Sequence, residues 1–163
     1  MLARLAQCGL NLPTVAAPLA SYVPARRVGG LVLTSGQLPL VDGVLTVTGL
    51  VVAEGATPPA GVSLPCVTPA QAHAAARVCA LNALAAAAAA VADPDQIVSV
   101  VRVVGYVASA PDFTGQPAVV NGASDLLLEV FGEQGRHARS AIGVAALPLG
   151  APVELELTVE VRD

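Results

Sequence analysis

The chain has 163 residues, enough for one domain with a sizeable core, and 55% of them are apolar, which excludes a chain disordered throughout. Its formal charge is -4, its pI is near 5.0 and every basic residue is arginine, which argues against a partner such as nucleic acid that is gripped through its phosphates. Only Arg26 with Arg27 and Arg136 with Arg139 concentrate positive charge, so a basic groove would have to form between subunits.

No long apolar segment follows Arg4, so a secretory leader is not expected there, and the apolar run from Val78 to Ala92 is too short and alanine-rich to span a bilayer, with Asn82 interrupting it. A single soluble, cytoplasmic domain over residues 1–163 is expected, with residues 1–21 as an N-terminal extension. Cys8, Cys66 and Cys79 lack CxxC or metal-type spacing, and His73 and His137 stand far apart, so no disulfide framework or metal site is indicated.

Leu2 to Cys8 predicts a short helix that stops at Gly9, followed by a proline-containing connection to Tyr22. Tyr22 to Val28 and Leu31 to Gly36 predict two strands joined at Gly29-Gly30, where both turn positions can take positive φ. Leu38 to Val41 and Val44 to Val47 flank a second turn at Asp42-Gly43. Residues 48–67 show little periodicity and predict an irregular loop.

Thr68-Pro69-Ala70-Gln71 is a helix start, with Thr68 as N-cap, Pro69 at the first helical position and Gln71 completing a capping box. The helix is expected to run to about Ala92, its alanines letting the backbone lie close to a sheet. Ile97 to Ala108 is valine-rich on both faces, the pattern of a strand inside a sheet. Pro117 to Phe131 predicts a second helix with Val119, Val120, Ala123, Leu126, Leu127 and Val130 inward, stopped by Gly132.

From His137 to Val161 the period of two predicts a strand, a turn at Pro148 to Pro152 and a second strand, hence a hairpin. Arg139 shares a face with the small residues Ala141, Gly143 and Ala145, which leaves room beside its guanidinium for a ligand. A hairpin that joins the apolar faces sets Arg139 on the same side as Glu154, Glu156 and Glu160. An ordinary solvated sheet face with weak cross-strand ion pairs has the same pattern.

The sum is an α+β fold, β-β-α-β-α-β-β, with both helices on one sheet face and the other face left for self-association. A turn centred on Leu149-Gly150 would pair Glu154 with Ala145, some six residues and roughly 20 Å from Arg139 along the strand. Either the register differs or the two groups meet from different chains.

The residues Tyr22-Val23, Thr34-Ser35-Gly36-Gln37, Asn121, Ala138-Arg139-Ser140, Leu147-Pro148 and Val153-Glu154-Leu155-Glu156 together resemble the Rid family of reactive intermediate deaminases, also called YjgF-like. The resemblance covers Tyr22 to Val161. Details such as Ala110-Pro111-Asp112-Phe113-Thr114 and Gly135-Arg136-His137 are similar to a subgroup known as endoribonuclease L-PSP-like. The family implies a chorismate-mutase-like fold and a homotrimer whose sheets form a central barrel, with clefts between subunits. It also implies hydrolysis of reactive enamine and imine acids to 2-keto acids and ammonia, with no cofactor.

Position by position, the resemblance makes Arg139 the clamp on the substrate carboxylate and Glu154 the group that positions or activates water. It gives the backbone at Ala141 a substrate contact and lets Tyr22, Ser35 and Asn121 shape the cleft. The archetype has an aromatic residue and proline where this chain has Arg136-His137, and often a thiol and a carboxylate where Ala141 and Gly143 stand. A guanidinium suits a carboxylate through two parallel charge-assisted hydrogen bonds that lysine cannot reproduce. His137 is either a general acid or a structural side chain. No Ser/His/Asp set accompanies Ser35, whose hydroxyl reads as structural. The alternatives to a deaminase are a non-catalytic binder of small carboxylates or a regulatory protein and, disfavoured by the acidic, lysine-free chain, an endoribonuclease. Neither nucleic acid nor membrane is an expected partner.

Overall fold

A computed structural model describes residues 1–15, 21–57 and 59–162. Its centre is a five-stranded sheet ordered β1-β2-β9-β7-β8, built from β1 (Ala25–Val28), β2 (Leu31–Thr34), β7 (Ile97–Ala108), β8 (Ala138–Val144) and β9 (Val153–Val161). Two small ribbons lie outside it: β3 (Leu40–Val41) with β4 (Val44–Leu45), and β5 (Leu50–Val51) with β6 (Cys66–Val67). Asp42 and Gly43, at φ 51° and 79°, make the tight turn that the Asp-Gly pair predicts.

The helices follow from their caps and stripes. The first, α1 (Leu2–Gln7), is short and buries Leu5. In α2 (Pro69–Ala88) the Thr68 side chain accepts from the Gln71 N–H while the Gln71 side chain accepts from the Thr68 N–H, the reciprocal cap the sequence predicts. In α3 (Gln116–Phe131) all six residues expected to face inward are buried. Both α2 and α3 lie on one face of the sheet and against each other, closely enough that a Cβ on Gly122 of α3 would stand 2.0 Å from the His73 carbonyl oxygen of α2. Val32, Val103, Val107, Leu155, Leu157 and Val159 meet the helices from the sheet, so the alternation along β9 divides core from open face.

Three expectations are corrected. The α-helix ends at Ala88 and not near Ala92, because Ala90 and Val91 tighten to i→i−3 bonds before Asp93 starts the 3-10 turn Pro94–Gln96. Residues 48–67 are not irregular throughout: β5 and β6 pin their ends in parallel, with Val51, Val52 and Val67 buried. The largest correction concerns the last two strands, which form no hairpin.

Instead β8 pairs in parallel with β7, and β9 lies antiparallel between β7 and β2. The valine-rich β7 is thereby bonded along both edges, and β8 becomes the sheet's edge. Among the described residues, no helix is long and apolar enough to cross a membrane.

Candidate functional site

The site residues fall into two groups, the first between β8 and α3. Arg139 is opposite Val103, which is opposite Leu157, so its side chain stands on the helix-covered face. There it meets a stripe of α3 at helical spacing, formed by Pro117, Asn121, Ser124 and Leu128. Arg139 Nη1 donates to Asn121 Oδ1 at 2.7 Å and to Ser124 Oγ at 3.0 Å, and Nη2 donates to the Pro117 carbonyl at 3.3 Å. Three of the five donors of a guanidinium are thus engaged, all by neutral acceptors. Among the described residues no carboxylate pairs with Arg139, whereas Arg77, Arg136 and Arg162 each have one.

Arg139 lines an open recess of about 220 Å³ with Ser124, Leu128, Arg136 and His137. His137 stands two residues before Arg139 and reaches the same serine, its Nε2 3.0 Å from Ser124 Oγ and its Nδ1 2.6 Å from the Gly135 carbonyl oxygen. Sequence reasoning assigned Ser124 no role. Its signal was the spacing from Asn121, three residues apart on a helix and so on one face.

Ala141 lies farther along β8, opposite Gly105. The Val144 carbonyl accepts from the Ser109 N–H on the β7 side, so strand alternation turns the N–H and C=O of Arg139, Ala141 and Gly143 toward the free edge. The small residues beside Arg139 serve the helix as well as any ligand. A Cβ on Gly143 would stand 2.7 Å from the Gln116 amide nitrogen, in a second recess of about 440 Å³ that also includes Ser109, Phe113 and Ala145.

The second group lies on the open face. Glu154 pairs across β7 at Tyr106, and Glu156 at Val104. Burial, and then the neighbouring Glu156 charge, raise the Glu154 carboxyl above the ordinary range, and no donor or cation meets it among the described residues. Tyr106 Oη donates to Glu156 Oε1 at 3.3 Å, while Glu160 accepts from Ser99 and Arg162. Gly36 permits the approach of Glu154, since a Cβ there would fall 1.8 Å from Glu154 Oε1. Ser35 next to it donates through Oγ to the Val23 carbonyl at 2.7 Å, and its N–H bonds the Pro24 carbonyl. That ties down the segment bearing Tyr22, which is 48% exposed. The proline-containing connection leading to it falls partly on residues 16–20, outside the described residues.

Arg139 and the glutamates therefore do not share a face, contrary to the hairpin expectation. The physical reason is parity: Arg139 lies opposite Val103 and Leu157, and Glu154, an odd number of positions from Leu157, must point to the other side. Two strand spacings and three residues separate them, about 10 Å in each direction. Within one chain a small molecule cannot touch both. Among the described residues no three His, Cys, Asp or Glu side chains converge as they would to hold a metal ion.

Comparison with known proteins agrees with this architecture. The sequence pattern of the family described as "YjgF/chorismate_mutase-like, putative endoribonuclease" matches residues 2–161. Protein TCP17 of Trypanosoma cruzi is 44% identical over 99% of this chain and 94% of its own length. Among solved structures, Atu1372 of Agrobacterium tumefaciens, a protein of unknown function, is 41% identical with TM-score 0.81 over 99% of this chain and 92% of its own. A Shewanella oneidensis protein bearing the same endoribonuclease designation is 34% identical with TM-score 0.84 over 98% and 97%. Alike in sequence and in fold along almost its whole length, the chain belongs to the YjgF/chorismate mutase-like family.

Proposed function

We propose that this protein hydrolyses reactive enamine and imine acids to 2-keto acids and ammonia, with the substrate carboxylate on Arg139. One observation carries the reading: Arg139 is fixed in direction by Asn121, Ser124 and Pro117, yet its charge meets no carboxylate and two of its donors are unused among the described residues. A carboxylate ligand supplies both missing partners. The free β8 edge beside it offers the Ala141 backbone to the same ligand.

Hydrolysis also needs water delivered to the imine carbon, for which a raised carboxyl is suited as a base near neutral pH. Glu154 has that property but faces away from Arg139, so in this reading it comes from a neighbouring copy, together with Ser35 and Tyr22 at the cleft wall. A closed homotrimer with one site per subunit boundary meets that requirement. The reading places the protein in the cytoplasm and uses neither metal nor organic cofactor.

The test is to generate 2-iminobutanoate enzymatically and follow keto acid release with and without the protein. Wild type should accelerate release, and Arg139→Ala should lose about 100-fold or more of that acceleration, in the range for removing one partner of a buried charge pair. Equal rates with and without wild type overturn the reading. The placement of Arg139 and Glu154 on opposite faces favours a second one, a binder of small carboxylates, in which calorimetry shows 2-oxobutanoate binding that depends on Arg139 while turnover is absent. The endoribonuclease designation of the family suits this chain poorly, since its net charge of -4 repels a polyanion.

A further inference from the structure

His137, Ser124 and Arg139 form one continuous chain of hydrogen bonds from the Gly135 carbonyl to Asn121. The direction of each link can be deduced. The Gly135 carbonyl oxygen only accepts, so His137 Nδ1 carries a proton in every charge state. The backbone there is held in place, because a Cβ on Gly135 would stand 2.3 Å from the Leu127 carbonyl oxygen of α3. Arg139 only donates, so one lone pair of Ser124 Oγ is always taken by Nη1.

What remains variable is Nε2. In the neutral imidazole it is a lone pair, and the Ser124 hydroxyl turns inward to donate to it. In the imidazolium Nε2–H donates to Ser124, both serine lone pairs are filled, and its proton can point only out of the chain of bonds, into the recess. Protonation of His137 therefore converts Ser124 from an inward to an outward donor beside the Arg139 guanidinium.

We propose that His137, acting through Ser124, is the general acid that protonates the substrate nitrogen; this rests on the deaminase reading above and adds its second proton-handling group. With the carboxylate on Arg139, water oxygen bonds to the imine carbon and loses a proton to Glu154 of a neighbouring copy. The C=N electron pair moves to nitrogen, which takes the Ser124 proton, and Ser124 is refilled from His137 Nε2. In the collapse of the carbinolamine the hydroxyl proton leaves through Glu154 to solvent. His137, reprotonated from solvent, delivers a second proton to nitrogen. The C–N bond breaks with its pair on nitrogen, C=O forms and ammonia leaves. Two protons pass from water to solvent and two from solvent to nitrogen, so no other reactant is needed.

Among the described residues, the charged side chains that line the recess with His137 are Arg139 and Arg136, the latter paired with Glu133, while Asp125, next to Ser124 on α3, faces His73. Of these only Arg139 touches Ser124.

The test compares wild type, His137→Gln and Ser124→Ala in kcat/KM for 2-iminobutanoate across pH, alongside calorimetry with 2-oxobutanoate. Wild type should give a bell-shaped profile. His137→Gln should lose its basic limb and about 100-fold in rate while 2-oxobutanoate affinity changes less than about threefold, and Ser124→Ala should lose the same limb. A structural role would shift affinity or stability and leave the limb in place. An intact basic limb in His137→Gln, or no wild-type turnover, overturns the relay. If Arg139-dependent 2-oxobutanoate binding persists in that case, carboxylate recognition by Arg139 stands alone, and if wild type binds no keto acid, relay and deaminase reading fall together.

Discussion

Arg139 and Glu154 are opposites in more than charge. Arg139 is held by side chains and a carbonyl that cannot neutralise it, and Glu154 is half-buried against Gly36 with no donor at all among the described residues. A chain that contained both only for stability would gain by pairing them, as Arg77 and Glu129 are paired across α2 and α3. Sheet parity forbids it here. Each half lacks what the other has, and in the proposed reaction the two come together only where two chains meet.

The sharpest way to break this comparison is to inactivate the halves separately and mix them. Arg139→Ala and Glu154→Gln should each be inactive alone. Refolded together in equal amounts, they should recover activity at about one quarter of the sites, the fraction in which an intact Arg139 meets an intact Glu154 under random assembly. Keto acid assays of the mixture measure this directly. No recovery, with mixed oligomers confirmed by mass spectrometry, would mean that both groups act within one chain or that one of them does not act.

The next effect is smaller and confined to the acidic half. Gly36→Ala sets a methyl group 1.8 Å from Glu154 Oε1, and the flexible carboxylate must swing away. The fold should survive with a stability change under about 1 kcal/mol, since nothing rigid is displaced. Activity should fall roughly 10- to 100-fold through misplacement of the carboxylate, with keto acid affinity at Arg139 kept. Equal losses of affinity and activity would place Gly36 in the cationic half instead.

These divisions were only partly legible in the sequence. The boundaries of α3, the cap of α2 and the length of β7 followed from local chemistry: an apolar stripe ended by Gly132, a Thr68–Gln71 box and a run of valines. Period-two alternation in β8 and β9 likewise gave the strands and assigned residues within each strand to alternate faces. It could not give their neighbours. Two alternating strands joined by a proline-glycine turn look like a hairpin, whereas the chain carries β9 across to the far side of β7, which is then paired along both edges. Arg139 and Glu154 changed from companions to opposites through that single insertion. The partnership of Ser124 with His137 was hidden for a related reason, because it joins a helix to a strand edge that no local period connects.

The smallest expected effect reports whether the two halves meet. Burial raises the Glu154 carboxyl, Glu156 adds to the shift, and the protonated form is therefore favoured by folding. The sign follows: stability from this group is complete below the unfolded carboxyl range, and is lost as pH rises through the higher folded value. Glu154→Gln should then raise Tm at about pH 8, by a degree or two at most given its partial exposure, and converge with wild type near pH 4. Thermal unfolding across that range measures it. A neighbour's Arg139 brought against Glu154 would lower its folded value instead, and the same substitution would then cost stability at pH 8. Whether removing the charge stabilises or destabilises distinguishes a carboxylate that waits for a substrate from one already neutralised by the adjoining chain.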